Sequence, residues 1–339
     1  MRKFLKLPGG WRILIGGTIV SLLLIASLFG SNWARRHADE MDLSSILVPP
    51  SVLWLKSALT TQKGLEVLQL NQENANGQYK VKENLDPSVS GEDNLDYLQS
   101  GEKNAETTQA VALKNHFLGT DKNGHDMVAL LLAGTRNCLL PGLLTCAVAL
   151  FFGIPMGLLA GYYGGNFERL VRGFSGVILS LPRLVLILVV VCALEPNIYY
   201  IMFVLGITLI PRVAELIATR VNLLVNLGFV LAAKEAGLND FTILYRHLFW
   251  YQNRAVAMIQ FSLIMAESIL METTLSYLQF GTKPPEVSWG NIIEGSQETF
   301  FSGLYWLTFF PAVAIILSIL GFFYLGDGLN ARLAYREGK

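Results

Sequence analysis

NCLLPGLLTCAVALFFGIPMGLLA, residues 137–160, decides the fold. It carries no charged side chain, and about twenty apolar residues at a rise of ~1.5 Å each cross the ~30 Å hydrocarbon layer as one helix. The bilayer core offers no water to backbone N–H and C=O groups, so a spanning segment must satisfy them internally. The stretch lacks the two-residue alternation of a barrel strand, which leaves the helix. Gly153, Gly157 and, just beyond, Gly161 recur every four residues. That spacing draws a flat strip along one helix face, where a neighbouring backbone can approach closely.

Working outward, five more runs have this character: Trp11–Phe29, Phe174–Leu194, Ile198–Ile217, Ala255–Phe280 and Leu304–Leu325. The expectation is an all-α membrane protein with six transmembrane helices. A chain of 339 residues that is 52% hydrophobic and 15% charged exceeds what a soluble core needs. Arg2, Lys3, Lys6 and Arg12 flank the first run, whose length and following Gly30-Ser31-Asn32-Trp33 favour an anchor over a cleaved signal. Residues 31–126 change character: NQENANGQYKVKENLDPSVSGEDNLDYLQS is polar and belongs in water, although ILVPPSVLWLKSAL (46–59) has an apolar face. The organisation expected is 1–30 tail and first helix, 31–126 external segment, 127–330 transmembrane core and 331–339 cytoplasmic tail.

Lys and Arg in short loops set orientation, and long translocated segments are left out of the count. With both termini inside, Arg169, Arg172, Arg220, Lys234, Arg246, Arg254, Arg332, Arg336 and Lys339 lie on the cytoplasmic side, against Lys283 in the short external loops. A net charge of zero gives no nucleic-acid footprint. Cys138, Cys146 and Cys192 lie in or beside apolar runs without CxxC or nearby His, so neither a disulfide framework nor a metal site is expected. The four His are scattered, and neither a G-x-S-x-G nor a Walker-type phosphate loop occurs, so no cofactor and no catalytic site are expected.

Four strings, in order, carry a resemblance. FLGTDKNGHDMVALLLAGTRN (117–137) resembles an L-G-T-D-x-x-G-R-D entry motif. GIPMGLLAGYYGG (153–165) resembles G-x-x-x-G-x-x-A-G-Y-x-G-G. ETTLSYLQFGTKPPEVSWGNII (272–293) resembles E-x-x-L-S-F-L-G-L-G-x-x-P-P-x-x-S-W-G, and YLGDGLNARL (324–333) matches L-G-D-G-L-R. The chain thus resembles the second permease subunit of dipeptide and oligopeptide ABC transporters. The resemblance implies a type I importer permease fold in the bacterial inner membrane, forming a pathway for peptides or a related small solute. It implies four kinds of partner: a second permease subunit in a heterodimer, two cytoplasmic ABC ATPase subunits, an external solute-binding protein and membrane lipid. ATP hydrolysis would then belong to the ATPase subunits, and this chain would be no enzyme.

FVLAAKEAGLNDFTILYRHLF (229–249) resembles the family's E-A-A loop, which implies coupling helices at 229–250 that dock into an ATPase subunit. The candidates there are Leu231, Ala232, Ala233, Lys234, Gly237, Asn239 and Asp240. The small residues let a helix seat closely, and Asn239 or Asp240 can cap the next helix. Leu231 stands where the family has glutamate, and Phe249-Trp250 replaces Leu-Pro, so an ion pair with the ATPase is missing. An exposed pair is worth only about 0.2–1 kcal/mol, and apolar burial of Leu231 can replace it.

Ionisable residues in apolar runs need a partner or a wet cavity. Arg183, Arg212, Glu215, Glu267 and Glu272 qualify, with Arg212 and Glu215 spaced to pair on one face. Glu272 and Glu267 are candidates for the pathway, and Pro284, Pro285 and Trp289 for a stiff external gate with an interfacial aromatic. Tight packing is the competing reading for Glu272 and for the glycine strip. At the level of the molecule, the alternative is a transport-deficient, permease-like scaffold or signalling partner.

Overall fold

The structure is a computed structural model that describes residues 9–30, 50, 117–193, 197–283 and 285–337. Nearly all of the polar 31–126 segment, and Pro284, lie outside the described residues. The elements are α1 (Gly10–Ile25) with a wider π turn (Ala26–Gly30), α2 (Met127–Tyr163), α3 (Gly165–Ser180), α4 (Arg183–Ala193), α5 (Ile198–Leu224) and α6 (Gly228–Glu235). A short α7 (Asp240–Thr242) runs through a π segment (Ile243–Asn253) into α8 (Arg254–Tyr277). Then come α9 (Trp289–Gly295), α10 (Gln297–Phe301) and α11 (Trp306–Glu337). Among the described residues five helices are long and apolar enough to cross a membrane, or six if the bent pair α3–α4 counts as one span.

That pair corrects the expected single span Phe174–Leu194. α3 and α4 meet at 81°. Leu181 is extended (φ −90°, ψ 136°), as a residue before proline prefers, and Pro182 has no N–H with which to continue the ladder. The stretch expected to hold the second coupling helix runs as a π segment into α8. Asn253 sustains the wide turns. Its buried side-chain amide donates to the Leu248 carbonyl at 2.8 Å, and the Arg254 N–H reaches back five residues to Phe249.

The described residues fall into two compact units. One comprises 9–25, 136–193, 197–283, 285–286 and 315–337 among the described residues. Here the glycine strip behaves as its spacing requires: a Cβ on Gly157 would lie 2.5 Å from the Ala214 carbonyl oxygen, and one on Gly161 2.6 Å from that of Ala218. In the same contact Thr145 donates its hydroxyl to the Met202 carbonyl at 2.8 Å. Without a hydrophobic drive between helices in lipid, such backbone-to-backbone packing and interhelical bonds hold α2 on α5. Val171 of α3 joins Ala160, Ala214 and Ala218 in a small buried cluster. On α1, Gly16 lies against the backbone of α11, and Arg12 pairs with Asp327.

The second unit comprises 26–30, 50, 117–135 and 287–314 among the described residues. Asp126 caps α2 by accepting from the Val128 N–H at 2.7 Å. Met127, Leu304, Trp306 and Leu307 form one core cluster. Ser288 and Asn291 close a reciprocal capping box on α9.

Candidate functional site

The 228–253 segment is built from short-range rules. Leu227, extended, opens α6, whose inner face is Val230 and Ala233; Leu231, Ala232 and Lys234 face outward, Leu231 48% exposed. Gly237 closes the helix in the left-handed region (φ 74°): its own N–H reaches Lys234 and the Leu238 N–H reaches Ala233, a Schellman close. Within this chain a Cβ at Gly237 would meet nothing within 4 Å, so here the glycine serves backbone conformation. Asn239 then caps α7 by accepting from the Phe241 N–H at 3.2 Å.

Asp240 is not the cap. Its carboxylate receives the Tyr162 hydroxyl at 2.6 Å and the Tyr163 hydroxyl at 3.2 Å, and Lys234 lies over the Tyr162 ring, 4.6 Å from its centroid. The coupling candidates are thereby lashed to the end of α2. Sequence reasoning missed both tyrosines as partners of this segment, although the A-G-Y-x-G-G string marked Tyr162. The outer surface is apolar and aromatic, with Leu231, Leu238, Phe241 and Tyr245 exposed and the last two rings stacked.

Glu272 is 0% exposed, which takes it off any water-facing wall of this chain. Its Oε1 accepts from Ser276 Oγ at 2.8 Å and Thr282 Oγ1 at 3.2 Å, and Oε2 accepts from Cys138 Sγ at 3.0 Å. The Thr282 N–H in turn donates to Ser276 Oγ at 3.0 Å. The carboxylate of the E-x-x-L-S string thus braces the end of α8 and the turn after it, which is the packing reading. Within that turn Gln279, which stands where the family string has glycine, is left-handed (φ 65°).

The ion pairs also differ from expectation. Arg212 does not turn to Glu215: it donates to Glu267 Oε2 at 2.9 Å, and Arg183 pairs with the other oxygen of Glu267. Three helices, α4, α5 and α8, meet at one carboxylate. Trp289, expected as an interfacial aromatic, is 1% exposed. Its Nε1 donates to the Leu131 carbonyl at 2.9 Å, and its ring is packed on Gly134. Pro285 lies in the turn before α9, while Pro284 is outside the described residues. Among the described residues no group of three or more His, Cys, Asp or Glu could hold a metal ion.

Residues 153–336 match the family described as "Binding-protein-dependent transport system inner membrane component". A glutathione transport system permease protein of Pectobacterium atrosepticum is 32% identical over 218 residues, 64% of this chain and 72% of that protein. A dipeptide transport system permease protein of Alkalihalophilus pseudofirmus is 30% identical over 64% of this chain and 71% of its own length. A probable D,D-dipeptide transport system permease protein of Escherichia coli K12 is 29% identical over 66% and 74%.

Proposed function

The chain belongs to the family of binding-protein-dependent transport inner-membrane components, and from that premise we propose that it forms one wall of the translocation pathway in an ATP-driven peptide importer. Its partners in this reading are a second permease subunit, two ATPase subunits and an external solute-binding protein. Peptides are the solute class because the similar proteins are named for dipeptides, a D,D-dipeptide and glutathione.

One observation carries the mechanism: α6 and α7 present an exposed apolar surface while Lys234 and Asp240 grip Tyr162 and Tyr163 of α2. A push by an ATPase on α6 is delivered to α2 through two charge-assisted bonds and a cation–π contact. Leu231, Ala232, Ala233, Lys234, Gly237, Asn239 and Asp240 are the docking residues in this reading. Of the pathway and gate candidates, Glu267 keeps a place on the wall, and Pro285 and Trp289 a supporting role outside the membrane; Pro284 lies outside the described residues. Alternating access, the opening of the pathway to one side and then the other, completes the cycle.

The reading has both termini inside and six spans. Helix directions support the six spans. Contacts between α2 and α5 advance together along both (Thr145 with Met202, Gly157 with Ala214, Gly161 with Ala218), so the two run parallel. Chain joining two parallel spans must cross back between them, which makes α3–α4 a bent crossing. α2 and α8 run antiparallel, from Cys138–Glu272 to Cys146–Phe261.

The test is purification of the complex. Recovery of ATPase subunits with hydrolysis stimulated by peptide-loaded binding protein supports transport. A stable assembly without stimulated hydrolysis supports the scaffold reading, for which Leu231 in place of the family's glutamate is the favouring observation.

A further inference from the structure

The half-exposed faces of the long helices in the first unit are not alike. In the middle of α1 and α11 they carry no ionisable group: Ser21, Leu22, Leu24 and Ile25 on one, Ile316, Leu317, Leu320 and Phe323 on the other, the pair Arg12–Asp327 lying near the start of α1 and the end of α11. Those of α5 and α8 interleave polar groups with apolar ones: Arg212, Glu215 and Thr219 on α5, Glu267 and Thr274 on α8. Lipid has no partner for a guanidinium or a carboxylate, so this second face is turned to water or protein. At its centre Glu267 is shared by Arg183 and Arg212, which leaves one positive charge in excess at the carboxylate. Arginine cannot release its proton to relieve that excess. The Arg212 side chain is the more open of the two, 42% exposed against 26% for Arg183, and offers its remaining donors outward.

We propose that Arg212, held by Glu267 beside Arg183, is the subsite on this wall that receives the carboxylate of a zwitterionic peptide in transit. The inference rests on the transport reading above and names the chemistry of its pathway. Glu267 takes one guanidinium nitrogen of Arg212, Nη1, and the half-exposed side chain keeps further N–H donors, the chemistry that recognises a carboxylate. Glu215, one turn along α5 from Arg212, returns the local sum of charge to zero. The wall therefore does not gather anions in general; it favours a carboxylate that travels with an ammonium.

The experiment uses the whole transporter in proteoliposomes, with trialanine and its C-terminal amide each supplied at concentrations that load the binding protein equally. The unaltered chain should carry trialanine at least about tenfold faster than the amide, the discrimination of one charge-assisted contact. Arg212→Gln should lower trialanine uptake to the level of the amide and leave the amide, the recovered subunits and the stimulated ATP hydrolysis unchanged. Arg212→Lys, which keeps the charge but not the fork, should restore part of the difference. Equal loss for both peptides, no loss for either, or loss of the second permease from the complex without rescue by Lys overturns the subsite and makes the triad a structural tie. Absence of uptake and stimulated hydrolysis in the unaltered complex overturns the transport reading itself, a result visible before any variant is made.

Discussion

Gln279 shows how much a single residue can add to what a motif says. Its φ of 65° is the conformation glycine adopts without penalty, and the Gln279 and Phe280 N–H groups close α8 in the Schellman pattern onto Ser276 and Leu275. A side chain there costs about 1 kcal/mol or more. Gln279→Gly should therefore stabilise the protein by about 1 kcal/mol, seen as a rise of a few degrees in the unfolding midpoint in detergent. A lowered midpoint would mean that the Gln279 side chain contributes more than its backbone strain takes away. The glycine strip gives the opposite sign. Gly157→Leu forces a side chain into the Ala214 backbone and should cost about 1–3 kcal/mol, whereas Gly173→Ala, inside α3 with nothing within 4 Å of the new methyl, should stabilise by about 0.5–1 kcal/mol. Equal melting of these two variants would refute the close contact. Spacing alone made the strip legible. The brace around Glu272 was legible only in part, because Cys138 is 134 residues away from it and no local pattern joins the two.

Among elements, the long apolar helices were readable because a bilayer imposes length and composition directly. The bend between α3 and α4 was not read, although Leu181-Pro182-Arg183 inside an apolar run carries both a helix breaker and a charge. Hydropathy averages over a window and erases such a joint. The grip of α2 on the coupling segment was unreadable for another reason: Tyr162 and Asp240 are 78 positions apart, and only folding joins them. A double-mutant cycle on Tyr162→Phe and Asp240→Asn should return a coupling of about 0.5–3 kcal/mol in stability, with stimulated ATP hydrolysis reduced in each single variant. Strict additivity would dissolve the lash. Gly237 divides into two measurable effects. Gly237→Ala tests the cap alone and should cost about 1 kcal/mol while leaving the ATPase subunits bound. Gly237→Arg, whose side chain has open space in the free chain, should abolish their co-purification, and retention of the ATPase by the Arg variant would move the docking surface elsewhere.

For the molecule as a whole, orientation was read from loop charge alone; the relative directions of α2, α5 and α8 fit alternating spans with either side inside. Single cysteines at Asn84 and Asn239, in a background without Cys138, Cys146 and Cys192, should react with an impermeant thiol reagent in intact spheroplasts at Asn84 only. Labelling at Asn239 but not at Asn84 would invert the protein in the membrane. The backbone contact between α2 and α5 has a kinematic consequence. Sliding α2 along α5 by part of a turn would drive the Ala214 carbonyl into Gly157, so the two helices are expected to move as one body, with α3 held on them through Val171. The helical ladder is already cut at Leu181–Pro182, so the joint is where α4 is expected to turn against that body, with the ion pair of Arg183 and Glu267, at the first residue past it, as the expected limit of the swing.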